Sequence, residues 1–538
     1  MLFVIGVVIY GRTAAYDFVH DDYVFIHNNP AIQHLDFRSI FFTAAGGQKA
    51  GIKNVYFRPV LEFFYRLEYH WFRLNPAPWH IVNVLWHIGN SFLVFLLLRL
   101  IWPGRDAAAF LLAAGFLAHP VQTEAVACIS GISNLVFAFF GLASFICYIL
   151  AAKQTAGGKK TAWFAAGLGL FALAVFAKEQ AIVLPAALFL YALSRQNPAS
   201  SRERFWLGLY WLSAGFYLLW RRNFFGGSPL PFGTPEELRL RLLSLPHIIL
   251  EQLRILVLPY DLHYYRNFDI LSSWQGPGVI WVILIGLLIW RTRCLLAENR
   301  KRVWLGLGIF FIFLLPVLNI VPLVNEYSFV LNAEHFLYLP LLGALIVGDA
   351  LLQPLVRKLS SSEKRLLAGG ILAIWSLIAI VQLPAWAGEV SLFERVVRFE
   401  PRFGRGYLLL GKAYYFNGKW EKSLAAYDKA LAIMEGYRGK ARGKPAERFY
   451  LGFMKGIYFD MAHSYEALTR LDAAQRCYEE ARRIDPKDAM LANSLGVACA
   501  LKGQMAQAAA YFQEALRLDP HLEMARDNLR QCLTKGKK

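Results

Sequence analysis

The chain has 538 residues, 57% of them hydrophobic, and a mean hydropathy of +0.37. That is too apolar for a soluble chain and long enough for more than one domain, so the composition points to an integral membrane protein with something attached. The formal charge of +19 invites a nucleic-acid partner, but much of the Lys and Arg lies in short loops between apolar runs, the pattern of membrane topology, which argues against that class.

Taken in order, apolar spans are expected at 1–11, 79–101, 107–118, 133–152, 162–177, 180–195, 205–220, 277–290, 303–320, 336–352 and 366–384, eleven crossings in all. Basic residues assign the loops to sides. Those holding Arg99 and Arg105, Lys153 to Lys160, Arg195 to Arg204, Arg291 to Arg302 and Arg357 to Arg365 read as cytoplasmic, and the weakly basic turns at 119–131, 177–180 and 321–335 as external. The segment 238–258 is apolar enough to be a further span, yet counting it would put the Arg291 to Arg302 loop outside. It reads as an interfacial or re-entrant amphipathic segment.

The loop 16–78 is too long for a turn. It opens on Tyr16-Asp17-Phe18-Val19-His20-Asp21-Asp22-Tyr23, continues through Gly46-Gly47 to Arg58-Pro59, and ends in an amphipathic stretch, 61–74, suited to lie in the membrane interface. Adjacent carboxylates at the edge of a bilayer are costly and mark function, although a helix cap built on Asp also satisfies a loop of this kind. The six cysteines include no C-x-x-C pair, which argues against a zinc site.

From about residue 389 the composition becomes that of a soluble domain. Ala462, Tyr478 and Pro486 return 34 residues later as Gly496, Phe512 and Pro520, the tetratricopeptide period, with an earlier copy at Gly411, Tyr427 and Ala430. Three repeats are expected near 404–437, 455–488 and 489–522, in a domain 389–538 that follows a membrane domain 1–388. An α-solenoid of this kind binds peptides or partner proteins, or packs on its own membrane domain. The fold class expected is all-α, a multi-spanning membrane domain followed by a C-terminal solenoid.

The topology gathers His20, Asp21, Asp22, Arg58, His119, Gln122, Glu124, Lys178, Glu179, Arg221, Arg222, Glu334 and His335 on the external side. Carboxylates facing cations at a lipid interface suit transfer from a lipid-linked phosphate sugar: a base takes a proton from the acceptor hydroxyl while cations stabilise the departing phosphate. Each has a bland reading as well. Lys178-Glu179 also reads as an interfacial ion pair, His119-Pro120 as a helix end, and Glu334 as a favourable charge at a helix N-terminus. Two adjacent aspartates with Glu124 make a poor cage for a hard cation, which wants six or more oxygens, and a divalent metal is left unassigned.

Several segments together resemble the transmembrane and tetratricopeptide-repeat O-mannosyltransferases and their bacterial relatives, of the multi-spanning GT-C class. They are Phe18-Val19-His20-Asp21-Asp22 with Asn28-Asn29-Pro30, Phe57-Arg58-Pro59-Val60, His80-Ile81-Val82-Asn83 with His87 and Asn90, His119-Pro120-Val121-Gln122-Thr123-Glu124, Lys178-Glu179-Gln180, and Glu334-His335 before Tyr338-Leu339-Pro340. The resemblance implies a polyprenyl-phosphate sugar as donor, protein hydroxyls as acceptor and no further cofactor. It implies an acidic residue in the first external loop, catalytic or acceptor-binding, here Asp21 or Asp22, with Arg58, Lys178 and Glu179 around the donor phosphate; the topology adds His335 at the phosphate and His20, His119, Glu124 and Glu334 in support. Two departures stand out: Gly131-Ile132-Ser133-Asn134 where relatives commonly have Gly-Arg-Ala-Asp, and Glu334-His335 where they have Glu-Arg.

The expected activity is inverting transfer of a sugar, with membrane lipids, the lipid-linked donor and a protein acceptor held by the repeats as partners, and with site and repeats both external. The competing expectation is a membrane-anchored repeat scaffold for envelope proteins that has lost its chemistry.

Overall fold

The computed structural model describes residues 1–538 apart from 43–56, 155–156, 196–198, 225–234, 270–276, 319, 321–328, 444–445 and 536–538. Gly46-Gly47 lies outside the described residues. The chain divides into two compact units, Met1–Gly388 and Glu389–Lys538.

The first unit is built of helices, but not purely so. Arg266–Asp269 and Phe329–Asn332 pair as a two-stranded antiparallel ribbon with Arg266 opposite Asn332, a local addition that leaves the expected all-α class in place. Four-residue strands are too short to leave an alternating pattern in sequence.

Among the described residues four helices are long and apolar enough to cross a membrane: Pro76–Ile101, Ile129–Lys153, Gly158–Ala177 and Ser361–Trp386. Leu2–Ala15, Asp106–Ala118, Glu179–Ser194 and Pro340–Val356 are apolar but shorter than the roughly 20 residues a crossing needs. Eleven crossings are therefore more than length and composition support among the described residues. Local chemistry explains the short elements. The helix Asp106–Ala118 stops before His119-Pro120, where the missing N–H and the ring forbid continuation. Lys178 is extended, and a short tight turn, Glu179–Val183, separates the two helices around it. The segment expected to be interfacial or re-entrant is the helix Pro235–Val257, with Pro246 inside it and Ile248, Gln252 and Ile255 buried.

The helix Pro76–Ile101 fixes the frame in which the site sits. Asn83, His87 and Asn90 recur at spacings of four and three, so they share one face, and all three are fully buried. Buried amides and imidazoles must be hydrogen-bonded. His87 Nδ1 lies 2.8 Å from the Tyr338 hydroxyl and Asn90 Nδ2 donates to that hydroxyl at 3.0 Å, tying the start of Pro340–Val356 to this helix. Asn83 Nδ2 reaches the carbonyls of Cys128 at 2.9 Å and Ile129 at 3.2 Å, pinning the turn before the helix Ile132–Lys153.

The second unit stacks helix pairs: Gly404–Phe416 with Trp420–Ala441, Ala446–Ala467 with Leu471–Ile484, and Ala489–Leu501 with Met505–Leu518, followed by Glu523–Lys535. A small residue faces an aromatic one in each pair. A Cβ on Gly411 would stand 2.3 Å from the Tyr427 ring and one on Gly496 2.6 Å from the Phe512 ring, so the backbones approach too closely for a larger residue. An ion pair joins successive repeats, Arg482 to Glu514 at 2.8 Å, and Lys455 is held to both Asp485 and Asp488 at 2.9 Å at the end of the second repeat.

Candidate active site

The Val19–Tyr23 turn is reversed by His20, whose φ of 45° is left-handed. That conformation is uncommon for any residue but glycine and stores on the order of 1–3 kcal/mol where surroundings enforce it. Asp21 and Asp22, which follow it, face different surroundings.

Asp22 is fully buried. Its Oδ2 accepts from the Val19 N–H at 3.0 Å and its Oδ1 from the Ser130 N–H at 2.7 Å, with the Cys128 thiol 3.5 Å away. Burial pushes its carboxyl up to about 6, against the lowering effect of those two N–H donors. Both oxygens are thus engaged, Oδ2 in closing the first loop on itself and Oδ1 in binding it to the 128–131 turn.

The Asp21 side chain is 41% exposed and so open to a reactant. The Tyr264 hydroxyl donates to its Oδ2 at 3.2 Å, and His20 Nε2 lies 3.5 Å from its Oδ1 and 2.8 Å from the Tyr265 hydroxyl. Both tyrosines come from the stretch between Pro235–Val257 and the ribbon. The Asp22, Cys128 and Glu124 side chains are near enough to bear on this corner electrostatically.

Buried charge holds that stretch in place. Glu334 Oε1 accepts from the His263 N–H at 2.6 Å and lies 3.4 Å from Arg266 Nη2. Arg266, itself buried, donates to the Asp261 carbonyl at 2.6 Å and to Glu251 at 2.9 Å, and Arg254 reaches Asp261 at 2.8 Å. Breaking such a buried pair by removing one partner typically costs ~3–5 kcal/mol. Glu334 thus acts through the 261–266 segment.

A second group gathers around Glu179. Arg58 Nε donates to its Oε2 at 3.0 Å, and Arg221 Nη1 is 3.7 Å from its Oε1. Burial would raise the Glu179 carboxyl, but these two guanidinium groups override it and hold it below the usual range. Lys178 Nζ donates to Asn134 Oδ1 at 2.5 Å and stands 5.8 Å from the Phe137 ring centre.

Glu124 and His335 pair directly: Nδ1 to Oε1 is 2.5 Å, and the His335 N–H donates to Oε2 at 3.1 Å. His119 stands apart from these partners. Its Nε2 is 3.0 Å from the Leu256 carbonyl, its Nδ1 accepts from the Val121 N–H at 3.2 Å, and the ring lies 4.6 Å from that of Trp375. Burial drives its imidazole down to about 4, so it is neutral at physiological pH. His119 therefore caps and packs the helix end.

The arrangement thus joins Asp21, Asp22, His20 and the tyrosines at one corner, and Arg58, Glu179, Arg221 and Lys178 at another, with the 128–131 turn touching the first through Ser130 and the helix it leads into touching the second through Asn134. Sequence reasoning missed Ser130, Tyr264, Tyr265, Arg266 and the pinning role of Asn83. The run Tyr264-Tyr265-Arg266, aromatic and basic at the end of an apolar segment, was the available signal. Among the described residues no group of three or more His, Cys, Asp or Glu side chains converges as a metal site.

A tetratricopeptide-repeat family model matches residues 459–523. Protein O-mannosyl-transferase TMTC4 of Homo sapiens is 25% identical over 503 residues, 79% of this chain and 64% of that protein. Protein O-mannosyl-transferase TMTC1 of Homo sapiens is 24% identical over 477 residues, covering 79% and 54%, and TMTC2 of Homo sapiens is 27% identical over 296 residues, covering 49% and 34%. The chain spans less than two thirds of the length of these relatives. Over most of its own length it is similar to proteins named as protein O-mannosyl-transferases, and it carries tetratricopeptide repeats.

Proposed function

We propose that the chain is an integral-membrane glycosyltransferase that moves a sugar from a polyprenyl-phosphate carrier to a Ser or Thr hydroxyl of an external protein, with inversion at the sugar. The names of the relatives make mannose the first sugar to test. One observation carries the reading: of two adjacent carboxylates, Asp22 is consumed by backbone N–H groups while Asp21 is exposed and steadied by a tyrosine hydroxyl.

In this reading Asp21 takes the proton from the acceptor hydroxyl as its oxygen attacks the anomeric carbon. The bond from that carbon to the phosphate oxygen breaks, and the polyprenyl phosphate leaves with the electron pair. Arg58, Lys178 and His335 offset the charge on the leaving phosphate, with Glu179 orienting Arg58 and Glu124 orienting His335. In this reading these groups lie on the external face of the membrane, which the weakly basic loops around them support, and the repeats present the acceptor polypeptide.

The test is reconstitution of the purified chain in vesicles with radiolabelled polyprenyl-phosphate mannose and a Ser/Thr-rich acceptor peptide. Alkali-labile label on the peptide is expected. No transfer from any polyprenyl-phosphate sugar, with no binding of the carrier, would overturn the reading in favour of a scaffold.

A further inference from the structure

The cations of the site are not equally balanced. Glu179 is shared by Arg58 and Arg221, and Glu124 is taken by His335. Among the described residues the hydrogen-bond acceptor facing Lys178 is a neutral amide, Asn134 Oδ1, and that orientation is imposed because Nδ2 of the same amide donates to the Gly131 carbonyl at 3.2 Å. The aromatic face of Phe137 lies on another side of the ammonium. The charged groups that bear on it are Arg58, which repels it, and Glu179 and Glu124, which attract it. Burial outweighs all three and brings the Lys178 amine down to about 7. A buried lysine without a formal counter-charge gives up its proton readily and regains it when an anion arrives.

We propose that Lys178, buried against the Asn134 amide, gives up its proton in the resting site under mildly alkaline conditions and takes one up from solvent when the phosphodiester of the lipid-linked sugar seats against it, with Asn134 as the positioning residue that keeps it in that state. This rests on the donor class proposed above. The step makes no covalent bond: amine and proton become ammonium, and the ammonium faces the phosphate oxygen. The resting site avoids an unpaired buried charge, and the cation is supplied with the ligand it serves. An aspartate at 134 would hold the lysine permanently charged and would compete with the incoming phosphate.

The experiment is calorimetric titration of the full chain in nanodiscs with a farnesyl methyl phosphodiester, whose phosphate stays ionised throughout, at pH 8 in buffers of different ionisation enthalpy. Close to one proton should be taken up per ligand bound, and affinity should fall about tenfold per pH unit from 7.5 to 9. Lys178→Arg, charged at every pH, and Asn134→Asp should both bind without proton uptake. Asn134→Asp should bind at least about tenfold more weakly. Thermal melts of each variant check that it is folded. Uptake that persists in Lys178→Arg would assign the proton to His20 or His335 and overturn the proposal. Binding by the unaltered chain with no uptake would overturn it while leaving the donor class intact, whereas no binding of any prenyl phosphodiester would sink the donor class and this inference together.

Discussion

The hydroxyl of Tyr264 donates to Oδ2 of Asp21 at 3.2 Å, joining residues 243 apart in the chain. Asp21 alone in a mobile loop would sample many orientations, and this bond with the His20 contact narrows them. Tyr264→Phe should therefore lower kcat for transfer about tenfold, the loss of one hydrogen bond to a charged group, and leave donor KM and Tm nearly unchanged. A parallel rise in donor KM would instead place Tyr264 on the substrate.

Asp22 supplies the pH dependence of the first loop. Its folded-state value, about 6, lies above the ordinary 3.8. A raised carboxyl favours the folded state at low pH, and that contribution is lost as pH rises through 6. The Tm advantage of the unaltered chain over Asp22→Asn should therefore be largest near pH 4 and shrink up to pH 7. A growing advantage over that window would contradict the burial described.

Glu68 lies in the helix Pro59–Phe72, buried, with neither carboxylate oxygen hydrogen-bonded among the described residues. Burial raises it to about 8, so it is mostly protonated at neutral pH. By the same sign rule its contribution is lost as pH climbs toward 8. Glu68→Gln should match the unaltered chain near pH 5 and surpass it progressively from pH 6 to 8, by up to about 1.4 kcal/mol per pH unit. Parallel stability curves would show that the carboxyl is charged and paired.

The turn that links both corners of the site has one position with no room. A Cβ on Gly131 would stand 2.4 Å from the Ala125 carbonyl oxygen, and neither backbone can yield. Gly131→Ala should cost about 1–3 kcal/mol and displace the Ser130 N–H from Asp22, lowering transfer more than Asn83→Asp does through the carbonyls it holds. Wild-type stability in Gly131→Ala would mean that the turn is looser than described.

Legibility from sequence followed the length of the pattern. The repeats were plain because a 34-residue offset returns the same small and aromatic residues, and Gly496 against Phe512 shows why they recur. Span counting was less secure, since hydropathy does not show where Pro120 and the Lys178 turn cut a helix short. The His20-Asp21-Asp22 stretch drew attention through its charge beside an apolar segment, but nothing local distinguishes the two aspartates. The distinction comes from Ser130 and Tyr264, which lie 108 and 243 residues away from their partners. The Arg266 ribbon was invisible for the same reason, being made of short strands far apart in the chain.

The most direct test is the rate of sugar transfer from a polyprenyl-phosphate donor to a peptide by Asp21→Asn against the unaltered chain, each purified and shown by its melt to be folded. Loss of at least about a hundredfold in kcat, with carrier binding retained, is the outcome expected of a general base. Unchanged transfer by a folded Asp21→Asn protein would contradict the account.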